Sequence, residues 1–266
     1  MYNTSYHRAS SVDDAAAKFG AGEDAKYLAG GMTLIATMKQ RLAAPSDLVD
    51  LRHAPELKGI SVNGSSVRIG AGVTHFEVAT SSALRVVCPA ITQLAGMIGD
   101  PHVRHMGTMG GSVANNDPAA DYPSAVLALA ATVVTNKRRI AADDYFRGMF
   151  ETALSDGEII VAFEFEAPAK AGYSKFANPA SRYAMAGVFV AKSASGGVRV
   201  AVTGAGSNGV FRHAGMEGAL AADWSADAVA GVDVDVGSMM ADIHGSSAYR
   251  ANLVRVMAKR AVAAAG

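Results

Sequence analysis

Lys26-Tyr27-Leu28-Ala29-Gly30-Gly31-Met32-Thr33-Leu34-Ile35 is the stretch whose reading decides the fold. Lys26 to Ala29 is a short strand candidate, and Gly30-Gly31 closes it. Leu34, Ile35, Met38 and Leu42 then recur at helical spacing, with Pro45 shortly beyond. Glycines allow positive φ and close approach of the backbone to a ligand. The free N–H groups at a helix start, aided by the helix dipole, then face an anion. Thr33 adds a hydroxyl donor or an N-cap. Upstream, Ser11-Val12-Asp13-Asp14 is a capping-box-like start to a short helix that stops at Gly20. Downstream, Leu48-Val49 within Asp47 to Asp50 marks a buried strand. Helix–strand–helix–strand order predicts a small parallel α/β unit.

Beyond it the pattern changes. Val67 and Ile69 alternate with polar residues, Pro89 opens a helix through Ile91, Leu94 and Ile98, and Ser124 caps a helix over Ala125 to Ala131. Val133-Val134 and Ile159 to Phe165 read as strands, so the middle portion is α+β. Ala167-Pro168-Ala169-Lys170-Ala171-Gly172 reads as a linker. Strand candidates follow at Tyr173–Phe176, Val188–Ala191 and Val198–Val202. A final helix carries Tyr249, Leu253, Val256 and Met257 on its apolar face. The domain boundary falls near residue 168, with subdomains of about 1–57 and 58–168 before it and a C-terminal domain over 169–266.

Two further glycine clusters bear on function. Thr108-Met109-Gly110-Gly111-Ser112 offers a second double-glycine turn, flanked by hydroxyls. Two such turns suit the two phosphates of a dinucleotide, or are tight turns with no ligand. Gly204-Ala205-Gly206-Ser207-Asn208-Gly209 matches G-x-G-x-x-G, but a dinucleotide fingerprint of that kind needs a parallel βαβ unit around it. The elements upstream look antiparallel, so this cluster is read as a turn, and a nicotinamide dehydrogenase built on it is the remote alternative.

Composition excludes several classes. Lys and Arg number 24 against 24 Asp and Glu, which leaves no basic footprint for nucleic acid and no polybasic membrane patch. A single cysteine, Cys88, rules out an internal disulfide and any Cys-ligated zinc or iron–sulfur site within the chain. No secretion signal or membrane-length apolar run is read, so the expected location is cytoplasmic, with membrane association only through a complex. His102 and His105 lack a third metal ligand. Arg104 can neutralise a phosphate, meet a partner chain or form a surface salt bridge. Asp117, before a proline, reads as a loop cap, and Tyr183 can be a core residue. No side chain is assigned a catalytic role and no metal site is expected.

The order of these motifs resembles a known family. Leu28-Ala29-Gly30-Gly31-Met32-Thr33-Leu34 with Met38-Lys39 and Arg41-Leu42, then Pro45 and Leu48-Val49-Asp50-Leu51, is similar to the opening of the flavoprotein subunits of the xanthine dehydrogenase, or molybdenum hydroxylase, family. Ile98-Gly99-Asp100-Pro101, Arg104, Gly107 to Ser112, Ala114-Asn115 and Asp117 to Asp121 resemble its second flavin motif. Asp242-Ile243-His244-Gly245 with Tyr249-Arg250 resembles its C-terminal domain. In length and wording the chain looks most like the medium subunits of the aerobic carbon monoxide dehydrogenase type. Related subunits serve nicotine, quinoline, purine and aldehyde hydroxylases.

The resemblance implies an FAD-binding fold of the PCMH/vanillyl-alcohol-oxidase type, with two α/β subdomains and a C-terminal domain of a small antiparallel sheet and helices. It implies FAD here, a molybdenum cofactor in a large partner subunit and [2Fe–2S] clusters in a small one. Electrons would run from molybdenum through the clusters to FAD and an external acceptor. Carried over by residue, it places Ala29, Gly30, Gly31, Met32 and Thr33 with Thr108, Met109, Gly110, Gly111 and Ser112 along the pyrophosphate and ribityl chain. Ile98 falls near the flavin or adenine, Asp121 at a polar group of FAD, Ile160 at the adenine and Tyr183 beside the isoalloxazine. Met32-Thr33 and Ser112 depart from the usual wording of the two motifs but keep a hydroxyl or backbone donor.

Overall fold

The computed structural model describes residues 1–265 and is α+β. Strand β1 (Ser5–Arg8), helix α1 (Val12–Ala21), β2 (Ala25–Leu28), α2 (Leu34–Lys39) and β3 (Asp47–Asp50) form the opening unit. The three strands are parallel in the order β1-β3-β2. Leu48 and Val49 place β3 at the buried centre, as an apolar strand between two neighbours should be. Ser11 caps α1 by accepting the Asp14 N–H. β1 carries no apolar run and had no signature in the sequence. Helix α2 stops at Lys39, short of the expected Leu42. Arg41 turns left-handed (φ 61) and Leu42 projects into solvent.

A second sheet is antiparallel in the order β4-β5-β10-β6-β7. Its strands are β4 (Ile60–Asn63), β5 (Ser66–Gly70), β6 (Thr132–Thr135), β7 (Arg139–Ala141) and β10 (Ile160–Glu166), with a hairpin of β8 (Phe146–Gly148) and β9 (Glu151–Thr152) between β7 and β10. Inserted after β5 are α3 (His75–Thr80), α4 (Ser82–Val87), α5 (Pro89–Gly96), α6 (Pro101–Met106), α7 (Met109–Asn115) and α8 (Tyr122–Ala128), and α9 (Ala142–Tyr145) follows β7. Pro89 and Pro101 stand at helix starts, where the missing N–H is tolerated. Helix α8 begins before the expected Ser124 cap: Asp121 holds the N-cap position, and the Ser124 hydroxyl donates to the Asp121 carbonyl.

The third sheet comprises β11 (Lys170–Ala177), β12 (Ala184–Lys192), β13 (Val198–Thr203) and β14 (Phe211–Arg212), antiparallel in that order, with α10 (Ala214–Ala222) and α11 (Ser247–Ala264) following. Its two faces feed two cores. Tyr173, Phe189 and Ala201 join the main N-terminal core. Val188, Val190, Val200 and Val202 pack with Met216, Leu220, Val254 and Met257 of the last two helices. β12 is therefore covered on both faces, and packing is continuous across residue 168. The buried face of α11 runs through Arg250, Leu253, Val254 and Met257, whereas Tyr249 is exposed and Val256 only partly covered. Arg250 is buried because its guanidinium donates to the Met185 and Gly204 carbonyls and pairs with Asp242. Gly204 to Gly209 is the turn joining antiparallel β13 to β14, not the start of a βαβ unit.

Candidate cofactor site at the two glycine pairs

The first glycine pair leaves the carboxyl end of the parallel sheet. Leu28 ends β2 beside Asp50 of β3, Gly30 bends, and Gly31 adopts φ +71 before α2 begins. None of the backbone N–H groups from Ala29 to Thr33 donates to an acceptor among the described residues, and the Thr33 hydroxyl makes no cap bond. Five consecutive unbonded amides at a surface bend are a ready anion cradle. Gly30 is required by contact rather than by φ. A Cβ there would lie 2.1 Å from the Met106 carbonyl oxygen and 2.7 Å from Gly107 Cα. The first loop thus abuts the segment that carries the second.

The second pair departs from the expected turn. Gly110 and Gly111 lie in the first turn of α7, with Thr108 as N-cap accepting the Gly111 N–H. Its amides are committed: Met109 donates to Val73, Gly110 to Ala71 and Ser112 to Thr108. Gly110 allows close packing, since a Cβ would sit 2.6 Å from the Ala71 carbonyl oxygen. The Met109 side chain is in the core, so only its backbone is near the seam. A Gly111 Cβ would come within 3.8 Å of Ala29 Cβ, which brings the two glycine pairs face to face.

The support beneath this seam was not legible in the sequence. Thr74 and Glu77 form a capping box at α3. Thr74 bridges Thr108, and the His75 N–H donates to the Gly107 carbonyl. The His75 ring lies against the bare Gly107 α-carbon, and burial lowers its pKa to about 4. The pattern Thr-x-x-Glu was the available signal. Under the first loop, burial works to raise the Asp50 carboxyl, but hydrogen bonds from Arg52 and Tyr6 hold it down at about 2.

The other candidates divide. Ile98 is half-buried at the end of α5, and the Ile98 and Gly99 carbonyls accept from Arg104. The β11–β12 hairpin tip packs on this point: a Cβ on Gly99 would meet Arg182 Cβ at 2.5 Å. Tyr183 follows directly, about half exposed, with its phenol pushed up by burial and by Asp117 and Asp121. Asp121 is buried, and its oxygens accept from Tyr173 (2.5 Å) and Lys175 (3.0 Å). Burial pushes its carboxyl up, against the opposing pull of Lys175 and Tyr173. These partners lie more than 50 positions away and carried no sequence signal. Ile160 is turned into the core, while its half-buried neighbour Val161 accepts the Ala71 N–H. Asp117 caps the Ala119 N–H, as a loop aspartate should. His105 stacks on Phe76, and no group of three metal-ligating side chains occurs among the described residues. Cys88 is buried with a raised pKa, unlike a nucleophile. Among the described residues no helix is long and apolar enough to cross a membrane.

The family model described as the FAD binding domain in molybdopterin dehydrogenase matches residues 2–167. The carbon monoxide dehydrogenase medium chain of Hydrogenophaga pseudoflava is 33% identical over 275 residues, covering 98% of this chain and 96% of the relative. The nicotine 6-hydroxylase medium subunit of Paenarthrobacter nicotinovorans is 35% identical, again covering 98% and 96%. A chain of the solved, reconstituted CO dehydrogenase from Oligotropha carboxidovorans matches with a TM-score of 0.89 at 33% identity, covering 99% of this chain and 97% of that one. The chain therefore belongs to the family of the FAD binding domain in molybdopterin dehydrogenase, as an FAD-carrying subunit of a multi-subunit oxidoreductase of the molybdenum hydroxylase type.

Proposed function

We propose that this chain holds FAD across the seam of its two glycine pairs. It relays electrons from [2Fe–2S] clusters of a small partner subunit, fed by a molybdenum cofactor in a large one, to an external acceptor. The observation that carries the reading is the run of unbonded amides from Ala29 to Thr33, set against Met106–Gly107 and the start of α7. Those amides and the Thr33 hydroxyl receive the pyrophosphate. Thr108 to Ser112 form the opposite wall. Ile98 and Tyr183 flank the ring system, Asp121 holds a polar group of the cofactor, and Ile160 belongs to the apolar wall at the adenine end. The bound FAD supplies the redox chemistry, while the protein binds, orients and tunes it. The division near residue 168 separates the FAD-binding domain from a C-terminal domain whose hairpin tip completes the flavin end.

The carbon monoxide dehydrogenase type is the favoured assembly, on full-length likeness to its medium chains. The equal likeness to a nicotine hydroxylase subunit supports the second reading, an N-heterocycle or aldehyde hydroxylase. The test is purification of the native complex. Expected are a yellow protein that releases FAD rather than FMN on denaturation, one large and one small partner, and bleaching of the flavin by carbon monoxide. A colourless protein that FAD cannot reconstitute overturns the cofactor reading. Bleaching by an N-heterocycle but not by carbon monoxide selects the second.

A further inference from the structure

A cavity of about 360 Å³ opens between the end of α5, helix α6 and strand β11, with Gly99, Arg104, Lys175 and Arg182 among its walls. Three of those four residues are cations. Lys175 is neutralised by Asp121. The other two are not paired with any carboxylate among the described residues. Instead, both guanidinium groups converge on one carbonyl: Nη1 of Arg104 is 3.2 Å and Nη1 of Arg182 3.4 Å from the Gly99 oxygen. The nearby acids are engaged elsewhere. Asp100 accepts the His102 and Val103 N–H groups, Asp117 that of Ala119, and Asp121 bonds Lys175 and Tyr173.

Two like charges gathered on one neutral oxygen repel each other, and a negative charge beside them offsets that repulsion. The arrangement is also held under strain. Arg182 adopts φ 61, a left-handed conformation unfavourable for a residue with a Cβ, and its Cβ presses on the bare Gly99. Such strain persists only where the surroundings enforce it.

We propose that Arg104 and Arg182 are the counter-charge for the reduced flavin. The proposal rests on the cofactor reading above, in which Ile98 and Tyr183 flank the ring: Arg104 is tied to the Ile98 and Gly99 carbonyls, and Arg182 adjoins Tyr183. Two electrons from the partner's clusters with one proton from solvent add one net negative charge to the ring. Two fixed guanidinium groups beside the ring favour that state over the neutral oxidised one, so they raise the potential of the bound FAD. Both act by field and position, without touching the primary substrate.

The test uses the holo-complex with Arg104→Gln, Arg182→Gln and Arg104→Lys. Two quantities are read: the midpoint potential of the FAD, and its affinity for sulfite, whose addition places negative charge on the oxidised ring. Each Gln variant is expected to weaken sulfite binding about ten-fold and to lower the potential by about 30 mV, the equivalent for a two-electron couple. FAD content stays at the wild-type level, and Arg104→Lys keeps the wild-type potential. Arg182 is exposed, so its variant leaves the fold intact. Unchanged potential and sulfite affinity with FAD retained overturn the proposal. Loss of FAD affinity at an unchanged potential also overturns it and moves the arginines to the pyrophosphate. So does a fall in Arg104→Lys as large as in Arg104→Gln, which makes Arg104 a loop anchor. Absence of FAD from the wild type overturns the cofactor reading instead.

Discussion

Two Gly-Gly pairs flank one seam, and they do different work. Gly30-Gly31 lies in a bend whose amides are unbonded and whose own core is small, built on Leu28, Met38 and Leu48. Gly110-Gly111 lies inside a helix whose amides are bonded and whose neighbours Met109 and Val113 belong to the main core. The same dipeptide leaves its backbone donors free in one place and commits them to bonds in the other. A glycine pair therefore acquires meaning from where its N–H groups go. The sharpest way to break the comparison is Gly30→Ala. Its Cβ would strike backbone atoms of Met106 and Gly107, which cannot rotate away. We expect a loss of about 3 kcal/mol, a fall in Tm of roughly 6–12 °C, and protein isolated without FAD. A variant that retains both FAD and its Tm would show that the loops are not locked together.

Acid should separate the two supports. His75 beneath the second pair has its pKa lowered from 6.5 to about 4. The unfolded chain then binds a proton that the folded one refuses, so stability is full above about 6.5 and falls as pH drops towards 4. Its full extent is roughly 3 kcal/mol. Asp50 beneath the first pair is lowered from 3.8 to about 2. Its contribution is present above about 4 and is lost only as pH falls towards 2. The second support should therefore weaken first. Denaturant titrations at successive pH values should show the upper window, and His75→Gln should flatten it while leaving the lower one. If the upper window persists in His75→Gln, its source lies elsewhere.

The same contrast explains what could be read in advance. The parallel opening unit, the antiparallel third sheet and the demotion of Gly204 to Gly209 were legible, because short-range period and turn residues decide them. Strand β1 was not, since it is a polar edge strand recruited by β3. Nor were the short helices α3, α4 and α6, which hold single turns of pattern each. Resemblance assigned both glycine pairs to one ligand. It could not distinguish a bend with free amides from a helix with bonded ones, because that depends on Ala71 and Val73 some 37 residues upstream. The Asp121–Tyr173–Lys175 cluster was hidden for the same reason.

A smaller effect sharpens the comparison through two threonines. The Thr33 hydroxyl bonds nothing among the described residues, whereas the Thr108 hydroxyl caps α7. Thr33→Val should leave stability within about 0.5 kcal/mol and weaken FAD about ten-fold, the loss of one hydrogen bond to a charged group. Thr108→Val should instead lower stability by about 1 kcal/mol through the lost cap. Paired measurements of Tm and FAD dissociation decide this, and equal stability losses in the two variants would sink the distinction.

The smallest effect belongs to Gly111→Ala. Its Cβ would lie 3.0 Å from the Thr108 Oγ and 3.8 Å from Ala29 Cβ, with no backbone atom in the way. Alanine favours a helical position over glycine by about 0.5–1 kcal/mol. Displacing the capping hydroxyl costs about 1 kcal/mol. The two nearly cancel, so Tm should move by no more than about 2 °C. FAD should remain bound, because the amides assigned to the pyrophosphate lie in the other loop. If Gly111→Ala keeps its stability yet loses FAD, the bare face of Gly111 is itself read by the cofactor, and the division of labour between the two pairs is wrong.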